Sequence, residues 1–166
     1  MMTTYQICPL EPHHDQALAR VIRQTISEFV EPCHQQYTSM GDAQLDSLSA
    51  FYNSPQRKFW VIEDAEGTVW GGGGFAPLEE GPIDMCELQK MYFDPTIRGQ
   101  GLGKAMLQLC LTEARAAGFK RCYIETLATM RTAQALYTSH GFVPISNPIG
   151  GTGHTHCDRF FIKDLS

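Results

Sequence analysis

Residues 86–110 read CELQKMYFDPTIRGQGLGKAMLQLC, and this stretch decides the fold. Cys86 to Phe93 mixes apolar and polar residues as a strand does, and Asp94-Pro95 stops it because proline cannot donate to a sheet ladder. Arg98-Gly99-Gln100-Gly101-Leu102-Gly103-Lys104 follows. Beyond it, Leu102, Met106, Leu109 and Cys110 recur at helical spacing, and Gly118 closes the helix. The stretch is therefore strand, glycine-rich turn, helix.

Such a turn has a physical use. Alternating glycines let a ligand approach the backbone, and the first N–H groups of the helix have no internal partner. The helix dipole adds partial positive charge there, which suits a phosphate or pyrophosphate. Arg98 and Lys104 flank the turn. A P-loop would need glycine at Arg98 and a hydroxyl residue at Ala105, and a dinucleotide fingerprint would need glycine at Lys104. Both patterns fail, although Glu125, ending the next strand, lies roughly where a ribose-binding acid would sit.

A different pattern fits. Arg98-x-x-Gly101-x-Gly103 after a strand and Asp-Pro resembles the acetyl-CoA-binding motif of the GNAT superfamily, the Gcn5-related N-acetyltransferases. Ala133-Gln134-Ala135-Leu136-Tyr137-Thr138-Ser139-His140-Gly141-Phe142 resembles the family's A-x-x-L-Y-x-x-x-G-F region. The resemblance covers residues 86–143 and implies an α/β fold. It implies a single domain over residues 1–166, with a mixed, mostly antiparallel twisted sheet, about four flanking helices, and a splay at the central strand.

The composition of the whole chain is ordinary for a soluble globular domain, with 43% apolar and 19% charged residues. The net charge of −5 disfavours a nucleic-acid partner. No stretch approaches the roughly 20 apolar residues of a membrane span. The N-terminus lacks the basic and apolar segments of a secretion signal. The six cysteines therefore read as free thiols of a cytoplasmic protein.

Along the chain, Thr4–Pro9 reads as a strand and residues 14–30 as a helix with a Leu18, Val21, Ile22, Ile26, Phe29 stripe. Cys33–Met40 reads as a loop, and Gly41–Tyr52 as a second helix carrying Leu45, Leu48 and Phe51. Lys58–Asp64 and Thr68–Phe75 read as a hairpin. Its run Gly71–Gly74 marks either a wall against substrate or a twisted sheet edge. Arg121–Glu125, Met130–His140 and Arg159–Lys163 read as strand, helix and strand, with a Gly/Pro-rich loop at 147–153.

What the resemblance implies about function can be stated residue by residue. The donor is acetyl-CoA, its pyrophosphate held by the turn Arg98, Gly99, Gln100, Gly101, Leu102, Gly103 and Lys104. Its pantetheine arm runs beside the central strand at Met91, Tyr92 and Phe93. Strict alternation gives Met91 and Phe93 the parity of Glu87 and Gln89. Glu87 is the expected base, with Glu125 in reserve, and Tyr137 is the expected acid. Where many members carry an asparagine arm contact, this chain has Met130, and Gln134 is the substitute considered.

The resemblance implies that the acceptor is a primary amine, on a small molecule, an amino acid or a peptide. The helix pair near the N-terminus would wall its pocket, making His34, Tyr37 and Met40 candidate contacts. His154-Thr155-His156-Cys157-Asp158 has ligand-type residues but lacks a second ligand pair, so no metal is assigned. A pocket-bordering loop containing His154 is the functional alternative. Members of the family are commonly dimers, which makes a homodimer the implied assembly. Two other classes compete with the enzyme: an acyl-CoA-binding regulatory module without turnover, and a nucleotide-binding oxidoreductase.

Overall fold

The computed structural model describes residues 2–166, so Met1 of the expected domain lies outside the described residues. Seven strands form one sheet, ordered β1-β2-β3-β4-β5-β7-β6. They are β1 (Tyr5–Pro9), β2 (Lys58–Asp64), β3 (Val69–Pro77), β4 (Met85–Phe93), β5 (Arg121–Thr126), β6 (Val143–Ile145) and β7 (Arg159–Asp164). The helices are α1 (Asp15–Phe29), α2 (Leu48–Phe51), α3 (Leu102–Ala116) and α4 (Arg131–Ser139). Among the described residues, only β4 and β5 run parallel. The α/β fold with a mostly antiparallel sheet is therefore as expected.

Two cores sandwich the sheet. Leu18, Ile22 and Ile26 of α1 pack with Leu45, Leu48, Phe59 and Val61 on one face. Met106, Leu107 and Cys110 of α3 pack with Trp60, Ile62 and Phe75 on the other. The alternation of strand side chains divides β2 between these cores, Phe59 and Val61 facing α1 and Trp60 and Ile62 facing α3. Cys86, Cys110 and Cys122 are buried, and all six cysteines are free.

The Gly71–Gly74 run lies on β3, between β2 and β4, and borders neither of the cavities described below. Both readings of it, substrate wall and sheet edge, are thus corrected. The glycines let both helical layers approach the sheet. A Cβ at Gly72 would come within 2.6 Å of the Phe59 ring, and one at Gly73 within 2.7 Å of Met91 Sδ. A Cβ at Gly74 would overlap the carbonyl oxygen of Lys58 and meet the Phe59 ring at 2.6 Å. Because that carbonyl belongs to the β2–β3 ladder, it cannot move without opening the pair. Gly74→Ala is expected to lower stability by about 1–3 kcal/mol, read as a lower denaturant midpoint at unchanged m-value.

Two other expectations change. The helix at Gly41–Tyr52 is instead a pair of short 3₁₀ turns (Ser39–Gly41 and Leu45–Ser47) and the single turn α2. Leu45, Leu48 and Phe51 are spaced by three, which is the 3₁₀ period rather than the α period. The start of α2 is capped from a distance: Ser49 N–H and Oγ–H donate to Asp15 Oδ1 and Oδ2 at 2.8 and 2.5 Å. Strand β6 is an addition, concealed because Pro144 interrupts its ladder donors and confines it to the sheet edge.

Candidate active site

The site begins as a fault in the sheet. Strands β4 and β5 pair only at Met85–Arg121, Cys86–Cys122 and Glu87–Tyr123, and then part. On its other side, β4 loses register with β3: Gln89 faces Gly74 while Tyr92 faces Gly72. Lys90 and Met91 thus share Gly73, a β-bulge with Lys90 at φ 51°. A bulge bends the strand, and here it accompanies the splay. It also resets parity. Met91 and Phe93 face the α3 core with Leu88, whereas Tyr92 faces the α1 core. The parity expected for Met91 and Phe93 is corrected accordingly, because strict alternation cannot pass through a bulge.

Two cavities fill the splay. The larger, about 260 Å³, is bordered by Phe93, Arg98, Gly99, Gly103, Arg131 and Leu136, among others. The smaller, about 60 Å³, is bordered by Glu87, Gln89, Lys90, Glu125, His154 and Cys157, among others. Both are lined by Met91, Tyr92, Met130, Ala133 and Tyr137, so they are two arms of one crevice.

At the larger arm, Gly99 and Gly101 take left-handed backbone conformations, φ 75° and 80°, which explains glycine at both. The first intrahelical bond of α3 is Ala105 N–H to Gly101 O, 3.1 Å, leaving the preceding N–H groups free for a ligand. Arg98 borders the arm, but its guanidinium is engaged. It makes a bidentate pair with Glu28 of α1, both bonds 2.9 Å, and its Nε–H donates to Phe93 O. Gln100 donates to Thr96 O, Lys104 is exposed, and neither borders the cavity. Gln134 is also placed elsewhere: its amide donates to the carbonyls of Leu127 and Ala128 at 2.9 and 3.0 Å, tying down the β5–α4 connection. Arg131, at the start of α4, is a cation on this arm that sequence reasoning passed over.

At the smaller arm, Glu87 is only 5% exposed. Tyr52 Oη–H donates to Gln89 Oε1 at 2.6 Å, which turns the Gln89 amide to donate to Glu87 Oε1, also 2.6 Å. Burial pushes the Glu87 carboxyl from its ordinary 4.5 up to about 7, despite the opposing Gln89 bond. Glu125 accepts from Tyr123 Oη–H at 2.7 Å and Thr152 Oγ–H at 2.8 Å. Tyr137 is 3% exposed, packs on Phe142 and Phe161, and is held well above its ordinary pKa by burial. Its hydroxyl has no hydrogen-bond partner among the described residues.

The residues from 154 to 158 do not converge. His154 and Cys157 border the cavity, His156 stacks on His34 at 4.8 Å, and Asp158 accepts Ala128 N–H. His34 and Tyr37 border neither cavity. They support the loop from behind, Tyr37 O accepting His156 N–H at 3.4 Å. Met40 packs against the α1 core, and its neighbours Thr38 and Ser39 line the arm instead. Sequence reasoning also passed over Asp42, whose carboxylate bonds both Lys90 Nζ (2.5 Å) and His154 Nε2 (2.8 Å). The one signal was Lys90 itself, a lysine inside a strand of core residues.

Away from the crevice, Cys8, His14 and Glu63 lie close together. His14 Nδ1 accepts Glu11 N–H at 3.0 Å, so the ring proton sits on Nε2 and is donated to Glu63 at 3.2 Å. This trio is a hydrogen-bonded knot fastening the start of α1 to β2.

The sequence model of the acetyltransferase (GNAT) family matches residues 23–142. The chain belongs to this family. As a GNAT N-acetyltransferase it is an acyltransferase enzyme, which sets aside the module without turnover and the oxidoreductase. It is 46% identical over 149 residues, 90% of its length and 88% of the relative's, to YjgM, an uncharacterized N-acetyltransferase of Escherichia coli strain K12. Its fold resembles a GNAT-family acetyltransferase of Staphylococcus aureus Mu50, with TM-score 0.82, 19% identity and coverage of 98% and 100% of the two chains. It also resembles yncA of Salmonella typhimurium, solved with acetyl-CoA, with TM-score 0.75, 18% identity and coverage of 98% and 95%. No helix among the described residues of this acetyltransferase is long and apolar enough to cross a membrane.

Proposed function

We propose that the protein is a cytoplasmic acetyl-CoA-dependent N-acetyltransferase that moves an acetyl group directly to a primary amine on a small molecule, an amino acid or a peptide. The observation that carries this is the two-armed crevice with Tyr137 at its junction and buried Glu87 in its smaller arm. The larger arm fits a pantetheine chain: apolar walls, then a helix N-terminus with Arg131 nearby for the pyrophosphate. The smaller arm fits an amine because two carboxylates, Glu87 and Glu125, face it.

In the transfer, the acceptor nitrogen bonds the acetyl carbon as the carbon–sulfur bond breaks. Glu87 takes the proton from the nitrogen, and Tyr137 gives its proton to the departing sulfur. Tyr52 and Gln89 orient the Glu87 carboxylate for this. Direct transfer is favoured because Cys157, the thiol bordering the smaller arm, is pushed up to about 12 by burial and is not a thiolate at neutral pH.

The test is thiol release from acetyl-CoA across a panel of amines and amino acids, with melting temperatures measured beside it. Amine-dependent release, and stabilisation by CoA but not by NAD, is the expected result. Stabilisation by CoA without release would narrow the reading to acceptors outside the panel. Absence of CoA stabilisation would overturn the assignment of the larger arm.

A further inference from the structure

A buried ionic chain joins the segments around the smaller arm, and the transfer chemistry leaves it unused. Lys90 occupies the bulge of β4 with φ 51°, a conformation that a non-glycine residue keeps only where its surroundings hold it. Its side chain is 2% exposed, and its ammonium pairs with Asp42 at 2.5 Å. Asp42 follows the 3₁₀ turn Ser39–Gly41, whose first residue, Ser39, borders the smaller arm together with Thr38. The second oxygen of the same carboxylate bonds His154 Nε2 at 2.8 Å, on the loop that closes the arm from the opposite side of the chain. One carboxylate thus bridges β4, the α1–α2 connection and the β6–β7 connection.

The bridge has a mechanical consequence. The bulge sets where Met91 and Tyr92 lie, and both line the junction between the two arms. His154 lines the acceptor arm alone. Whatever displaces Asp42 therefore moves the acceptor wall and loosens the strand irregularity against which the reacting thioester would lie.

We propose that Asp42 is a positioning residue for acetyl transfer, which through Lys90 and His154 locks the β4 bulge to the loop closing the acceptor arm. This rests on the transferase reading above. Removing its charge strands the Lys90 ammonium in a buried site and frees His154.

The experiment compares full-length wild type with Asp42→Asn by amide hydrogen exchange and steady-state kinetics. Peptides covering residues 86–93 and 152–158 are both expected to exchange about tenfold faster or more in the variant. The acceptor KM should rise and kcat fall by about tenfold, while the acetyl-CoA KM stays within about twofold, because Lys90 and His154, the partners of Asp42, border the smaller arm and not the larger. Asp42→Glu should recover part of the lost activity. The double variant Asp42→Asn with Lys90→Met removes both charges. It guards against misfolding and should restore protection at 86–93 but not at 152–158. Unchanged exchange in either segment of Asp42→Asn, or kinetics within twofold of wild type, would overturn the proposal. Absence of both amine-dependent thiol release and CoA stabilisation in the wild type would instead overturn the transferase reading, while the exchange comparison still decides whether Asp42 couples the two segments.

Discussion

Glu87→Gln is expected to lower kcat/KM by about a thousandfold while making the protein more stable at pH 8. The loss follows from removing the group that accepts the amine proton, a role of about 10²–10⁴ in rate. Glutamine keeps the shape and can still accept the Gln89 amide, so the effect isolates the charge. In the wild type the carboxylate is the active form, and the carboxyl is raised to about 7. Activity should therefore rise as pH rises through about 7 and level off above it.

The stability change has the opposite sign, for a linked reason. Between the ordinary value of 4.5 and about 7, native Glu87 holds a proton that the unfolded chain has already released. The native state then binds more protons, so stability falls as pH rises across that window. Above pH 7 the full penalty, on the order of 3 kcal/mol, is present, and the glutamine variant lacks it. The variant should melt above wild type at pH 8, and the difference should shrink toward pH 5. A variant that lost stability at pH 8 would mark Glu87 as a structural residue.

Tyr137→Phe is expected to lower kcat by about a hundredfold and to leave CoA affinity and melting temperature close to wild type. The ring is what packs on Phe142 and Phe161, at centroid distances of 5.8 and 6.3 Å, and phenylalanine retains it. The hydroxyl has no partner among the described residues, so its removal leaves no buried group unpaired. Burial raises the phenol above its ordinary value and keeps it protonated through the working pH range, ready to donate to a departing thiolate. Fluorescence or calorimetric titration with CoA, set beside single-turnover rates, separates the two quantities. Equal losses in binding and turnover would place Tyr137 among the packing residues instead.

The two other effects separate packing from electrostatics. Gly74→Ala tests packing without touching either arm of the crevice, since the added methyl meets the β2 backbone. Asp42→Asn tests a charge whose removal leaves a buried ammonium unpaired. Stability should report the first and acceptor kinetics the second.

Much of this protein is determined locally, and that part was legible in the chain. The order strand, glycine turn, helix at 86–118 depends on proline ending a ladder, left-handed glycines at 99 and 101, and an apolar helical stripe. These are effects of neighbours within a few residues, as is the 3.6-residue stripe of α1. Glu87 and Tyr137 could be singled out because each sits inside a recognisable local pattern, and the fold brings both to one crevice. The structure alone decided the rest. Whether Gly71–Gly74 faces a substrate or two helices depends on layers supplied by α1 and α3, far away in sequence. The bulge at Lys90 follows from a mismatch with β3, and it reversed the parity that strict alternation implied for Met91 and Phe93. Arg98 meets Glu28 across 70 residues, and Asp42 meets His154 across 112. Side-chain electrostatics act through space, so no local pattern could announce those partners, and burial, which raises Glu87, exists only once the chain has closed around it.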